Sequence, residues 1–207
     1  MFVLGIDPGL SRCGYGAVRR ADNGRGVEAV AHGVITTPPD DALPQRLVAV
    51  QRALRALIAE HRPDVVVVER VFFQTNVRTA MSVGQASGLA LAEAAAAGCE
   101  VVQYTSNEVK QAIAGFGAAP KDQIQRMVRT LLALAEVPKP ADAADALALA
   151  LCHLARARWS ASTSASAGLS ETRDANKQNK TNNKANTAGP LGKPLRIATH
   201  AGGVPLR

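Results

Sequence analysis

Phe2-Val3-Leu4-Gly5-Ile6-Asp7-Pro8-Gly9 is a short apolar run that ends on a carboxylate and then breaks. Val65-Val66-Val67-Val68-Glu69 repeats the pattern: four valines closed by an acid. A charge at the end of a buried strand is costly to desolvate unless something pairs with it. A third acidic position, Asp142 with Asp145, opens a stretch that is otherwise apolar and helix-like. Brought together by a parallel or mixed sheet, three such ends make a cage for hard divalent cations.

Working outward from the first run, Phe2 to Asp7, Gly14 to Arg19 and Val27 to Thr36 read as strands, the last two separated by Asn23-Gly24-Arg25-Gly26. Connections this short cannot hold a crossover helix, so the three form an antiparallel meander. Leu47, Val50, Leu54, Leu57 and Ile58 recur at helical spacing and predict a helix from Leu43 to His61, stopped by Pro63-Asp64. The chain then alternates. A strand at Val65 to Glu69 precedes a helix at Val77 to Ala97, and a strand at Glu100 to Tyr104 precedes a helix capped by Thr105-Ser106-Asn107 that runs to about Ala114. After the Gly115-Phe116-Gly117 break come helices at Lys121 to Ala135 and Asp142 to Arg158. A meander followed by alternating helix and strand describes an α/β protein, with a five-stranded mixed sheet and helices on both faces. Strand order 3-2-1-4-5 makes Asp7 and Glu69 neighbours despite the 62 residues between them.

The 207 residues suffice for one domain with a substantial core. With aromatics at 3%, aliphatics and alanine must build that core. No apolar run is long enough to span a membrane and no secretory signal opens the chain, which points to the cytoplasm. Cys13, Cys99 and Cys152 are odd in number and far apart, as expected of reduced thiols. The net charge of +7 is unevenly spread: residues 1–159 carry 17 basic and 15 acidic side chains, residues 160–207 seven and two. From Ser160 onward Phe, Tyr and Trp are absent, so a folded domain over 1–158 is followed by a basic, low-complexity tail over 159–207, expected to be disordered. Outside the four acids the domain is basic, which suits a polyanionic partner.

Two Mg²⁺ ions can clamp the attacking and leaving oxygens of an in-line phosphoryl displacement. Asp7, on the central strand, is the candidate bridge between them, with Glu69 serving one ion and Asp142 the other. Asp145, one turn beyond Asp142, is a ligand, a water-orienting group or a support. Each acid also has a plain reading: a turn after a strand, a salt-bridged strand end, or acids favoured in a first helical turn. Four plain coincidences on one sheet edge are a poorer account than one site. Lys110 and Lys121 flank the glycine break and are placed to steady a scissile phosphate, or else are solvated surface lysines. Of Phe72 and Phe73, one is expected in the core and one exposed to stack on unpaired bases. Arg78, Arg126 and Arg129 are weaker candidates for phosphate contacts.

Gly5-Ile6-Asp7-Pro8-Gly9, Val68-Glu69-Arg70-Val71-Phe72 and Ala141-Asp142-Ala143-Ala144-Asp145-Ala146-Leu147, in this order, resemble the RuvC Holliday junction resolvases. Val109-Lys110-Gln111 and Met127-Val128-Arg129-Thr130-Leu131-Leu132 resemble the same family, so the likeness covers residues 1 to about 157. The first motif alone is shared with actin-like ATPases; the ordered set is specific. The resemblance implies a ribonuclease H-like fold, a homodimer, and Mg²⁺-dependent resolution of four-way DNA junctions, with Mn²⁺ as a substitute metal. Paired symmetric nicks would leave 5′-phosphate and 3′-hydroxyl ends. It implies Asp7, Glu69, Asp142 and Asp145 as the acidic site, Lys110 and Lys121 as its lysines, and Phe72 as the residue inserted at the junction. Phe73, Asn76 and Arg78 would contribute DNA contacts, and RuvA and RuvB would be partners. The nearer rival is a related metal-dependent nuclease acting on RNA or an RNA–DNA hybrid. The basic tail departs from the family pattern.

Overall fold

The central strand of the sheet is β1 (Phe2–Asp7). On one side it pairs antiparallel with β2 (Arg12–Arg20), which pairs antiparallel with the edge strand β3 (Val27–Thr36). On the other it runs parallel to β4 (Val65–Glu69), which runs parallel to β5 (Glu100–Tyr104). The order β3-β2-β1-β4-β5 is the mixed sheet that the sequence pattern predicts. This computed structural model describes residues 1–21, 26–70 and 77–174, with side chains over 1–21, 26–70 and 80–157. The chain divides into two units, Met1–Ala165 and Ser166–Arg207, and the sheet lies in the first.

Side chains alternate across a strand, so β1 and β4 each feed two cores. Val3, Val65 and Val67 pack with Val109 and Ile113 of α3 (Ser106–Ala114), Ile124 and Val128 of α4 (Lys121–Leu131), and Leu147 and Leu151 of α5 (Ala141–Asp174). Leu4, Ile6, Val66 and Val68 pack with Val50, Leu54 and Ile58 of α1 (Leu43–His61) and Ala90 and Ala94 of α2 (Val77–Ala96). Each buried valine of β4 contributes about 1.5–3 kcal/mol relative to exposure. That both faces are apolar explains why the run reads as unbroken valine, as parallel strands do.

Local chemistry sets the helix ends. Pro44 occupies the first turn of α1, and Arg62 closes it in the left-handed conformation, its N–H bonding Ile58 O at 2.8 Å. Thr105 and Glu108 form a reciprocal capping box on α3. Helix α5 lies unusually close to the sheet: a Cβ at Gly5, Gly14 or Gly16 would collide with the main chain of Ala146, Asp142 or Leu147 respectively. These three glycines seat the first turns of α5 against β1 and β2.

Three boundaries differ from the sequence pattern by two or more residues. Strand β2 begins at Arg12 rather than Gly14, because Arg12 pairs with Thr36 on β3. Helix α4 ends at Leu131 rather than Ala135: Ala133 adopts a positive φ of 50° and Leu134 N–H returns to Arg129 O. Helix α5 continues past Arg158 to Asp174. A helix already nucleated on a core adds a hydrogen bond per further residue, which carries it into a stretch whose serines, threonines and Gly168 are individually weak helix formers. The rest of the expected tail lies outside the described residues. All three cysteines are free, and none of the described helices is long and apolar enough to cross a membrane.

Candidate active site at the ends of β1 and β4

Ile6 stands opposite Val68 in parallel register, so the next residues along, Asp7 and Glu69, end adjacent strands side by side. Their carboxyls hydrogen-bond to each other. Two carboxylates cannot share such a place fully ionised. Burial, then the charge of Glu69, then those of Asp145 and Asp142, push the Asp7 carboxyl up to about 8. Burial also raises Glu69, against the hydrogen bond from Asp7 and the nearby charges of Lys121 and Lys110. Burial and mutual repulsion thus favour one proton between the two carboxyls where no cation is bound.

Helix α5 delivers the other two acids. Asp145 Oδ2 meets Lys121 Nζ at 2.6 Å, and this bond, ahead of the nearby acidic charge, raises the lysine's pKa. Asp142 Oδ2 accepts from Nη2 of Arg12 at 2.7 Å and from its Nε at 3.0 Å. A cleft of about 290 Å³ is lined by Asp7, Glu69, Asp145, Lys110, Lys121 and Ser106, over a floor of Ile124 and Leu149. Asp142, one turn before Asp145 on α5, is not part of that lining. A larger cavity of about 800 Å³ opens at the opposite ends of β4 and β5, near Asp64 and Cys99, but its charged pair Arg55–Glu93 is mutually satisfied at 2.8 Å.

Thus Asp7, Glu69, Asp142, Asp145, Lys110 and Lys121 all converge on one end of the sheet. Phe72, Phe73 and Asn76 lie outside the described residues, and Arg78 is described in its backbone alone. Arg126 pairs with Asp122 one turn away, and Arg129 donates to Leu134 O at 3.4 Å, so both are engaged on their own helix end.

Sequence pattern misses two further elements. One is Arg12, whose partner is 130 residues distant. The other is a buried bond between Tyr104 Oη and His153 Nδ1 at 3.0 Å, which ties α5 to the end of β5 beside Glu69. Burial lowers the His153 pKa, keeping the imidazole neutral in this contact. Only the register Glu69 with Tyr104 hints at it.

The donor set around the cleft is carboxylate oxygen, the ligand type of Mg²⁺ and its relatives. The proton held between Asp7 and Glu69 marks where a cation's charge is wanted. Among the described residues no three acids, histidines or cysteines already form a closed ligand set. Asp142 and Asp145 would have to exchange Arg12 and Lys121 for the ion. The residues fit a hard divalent cation in kind, with that rearrangement.

Strands in this order, closed by acids on the two central parallel strands, define a ribonuclease H-like nuclease scaffold. The structure of Thermus thermophilus RuvC superposes with a TM-score of 0.72 at 37% identity, covering 77% of this chain and 97% of that one. T. thermophilus RuvC in complex with Holliday junction substrate gives 0.70 at 34%, covering 77% and 96%. The crossover junction endodeoxyribonuclease RuvC of Salinispora arenicola is 57% identical over 156 residues, 75% of this chain and 89% of its own length. Residues 3–153 match the family model described as Crossover junction endodeoxyribonuclease RuvC. The chain belongs to the RuvC family of crossover junction endodeoxyribonucleases, and it is an endonuclease.

Proposed function

We propose that this endonuclease resolves four-way DNA junctions in recombination and repair, using Mg²⁺ bound by Asp7, Glu69, Asp142 and Asp145. The observation that carries the reading is the pair of adjacent carboxyls, Asp7 and Glu69, lining one cleft with Asp145, Lys110 and Lys121 in a member of this family. Bound metal would supply an activated water and charge stabilisation at the phosphate. Asp7 and Glu69 orient from adjacent strand ends, so their spacing is set by the sheet. Lys121 and Lys110 face the cleft from α4 and α3, where they steady charge developing on the scissile phosphate. Mn²⁺, another hard oxygen-seeking ion, substitutes.

One site nicks one strand at a time, so paired symmetric nicks require a homodimer, each subunit carrying two metals and leaving 5′-phosphate and 3′-hydroxyl ends. Phe72 enters the junction, with Phe73, Asn76 and Arg78 as further DNA contacts. The nuclease domain is residues 1–158, and the basic segment 159–207 adds non-specific DNA affinity. RuvA and RuvB are the partners, in the cytoplasm.

The test compares a four-way DNA junction, linear duplex and RNA–DNA hybrid in Mg²⁺, with Asp7→Asn alongside. Symmetric nicks in the junction alone, absent in the variant while binding persists, are expected. Preferential cleavage of the hybrid would move the substrate to RNA. Unaltered cleavage by Asp7→Asn would remove the metal site as drawn.

A further inference from the structure

Two cations engage the acids of α5, and they are placed differently. Lys121 and its partner Asp145 both line the cleft. Arg12 and its partner Asp142 do not; they form a pair outside that lining, the Arg12 side chain 52% exposed. Arg12 spends Nε and Nη2 on one oxygen, Oδ2 of Asp142. The backbones beneath the pair are already in close contact, since a Cβ on Gly14, two residues along β2, would strike the main-chain carbonyl of Asp142. The exchange needs only side-chain rotation, with the backbones left in that contact.

From this geometry we infer that Arg12 exchanges partners: it holds the Asp142 carboxylate when the site lacks a cation, and takes a DNA phosphate once Asp142 turns into the cleft. The inference rests on the metal-dependent reading above. Arg12 and a divalent cation compete for the same carboxylate, and a half-exposed ion pair is weak and screened, so little opposes the exchange. A guanidinium fork suits phosphate as well as carboxylate. Its partner Asp142 is one helical turn before the cleft-lining Asp145, so a released, exposed guanidinium there is available to a nucleic-acid backbone entering the cleft. Arg12 is thus a positioning residue that couples cation loading to one added phosphate contact per subunit.

The salt dependence of junction binding reads this directly, because each phosphate neutralised on duplex DNA adds about 0.9 to the log–log slope. Fluorescence anisotropy of a labelled four-way junction would be measured across a salt series for wild type, Arg12→Gln and Asp142→Asn. Each is titrated in EDTA and in Ca²⁺, with absence of cleavage checked, and calorimetric Ca²⁺ titration of the same proteins runs in parallel. Divalent cations also shield DNA, equally in every protein, so the quantity read is the difference between proteins. Wild type in Ca²⁺ should exceed Arg12→Gln by about 0.9 per engaged subunit, and the two should coincide in EDTA. Asp142→Asn, which frees Arg12 without metal, should show the steeper slope already in EDTA. Ca²⁺ should bind Arg12→Gln more tightly than wild type. Equal slopes for wild type and Arg12→Gln in Ca²⁺, or a wild-type slope for Asp142→Asn in EDTA, would overturn the exchange alone. Failure of Ca²⁺ to bind wild type would overturn the metal reading with it.

Discussion

Asp7 hydrogen-bonds Glu69 across the seam between β1 and β4, and burial with the charge of Glu69 pushes the Asp7 carboxyl up to about 8. The pairing follows from parallel register, Ile6 opposite Val68, which leaves the next two side chains no distance to spread. Repulsion and burial act together, and only a proton or a cation relieves them.

The metal-free protein should lose stability as pH rises. Between the ordinary carboxylate range and about 8, the folded chain holds a proton on Asp7 that the unfolded chain has released. Raising pH through that window favours unfolding by at most about 1.4 kcal/mol per pH unit, and the slope ends above pH 8. Asp7→Asn keeps a donor toward Glu69 and carries no titration, so its profile should be flatter. Urea unfolding in EDTA from pH 5 to 9 decides; parallel profiles for the two proteins would refute the shared proton.

Cation binding at neutral pH should release about one proton per chain, because the ion replaces the proton on Asp7. Calorimetric titration with Mn²⁺ in two buffers of different ionisation heat measures the number. Apparent affinity should rise with pH and level off above 8. Zero protons released at pH 7 would mean that the ion binds without engaging Asp7.

Lys121→Met should slow single-turnover junction cleavage by about 10²–10³-fold, the usual cost of removing one charge-stabilising donor, while junction affinity changes little. The lysine lines the cleft and contacts Asp145 at 2.6 Å. A loss below tenfold would assign Lys121 to holding Asp145 and nothing more.

Gly14→Ala and Gly88→Ala should act in opposite directions. At Gly14 a Cβ would strike the Asp142 carbonyl, so α5 must shift, at a cost of about 1–3 kcal/mol and with Asp142 displaced from its place. At Gly88, in the exposed face of α2, a Cβ meets nothing within 4 Å, and alanine should stabilise by about 0.5–1 kcal/mol. Thermal unfolding midpoints of the two variants compare them, and a neutral Gly14→Ala would contradict the close seating of α5.

Removing residues 175–207 takes away six basic and no acidic side chains. Junction binding should then depend less steeply on salt. An unchanged slope would exclude this segment from DNA contact.

Much of this was legible in the residues. Short connections demanded the meander, the valine run demanded a buried strand, and Thr105-Ser106-Asn107 marked the start of α3. Asp7 and Glu69 could be paired on paper because strand order and strand ends follow from those local patterns. The end of α4 was not legible, since Leu131-Leu132-Ala133-Leu134 is helix-compatible by composition and the turn at Ala133 answers to tertiary packing.

Which charges sit inside the cleft and which at its rim was also beyond the sequence. Backbone propensity and periodicity are properties of near neighbours, so the chain alone determined its elements, the order of its strands and the acids at their ends. The Arg12–Asp142 and Tyr104–His153 contacts join positions 130 and 49 residues apart. They exist because α5 can lie against Gly5, Gly14 and Gly16, and ion pairs and buried hydrogen bonds depend on final distance and desolvation, which only the packed structure decides.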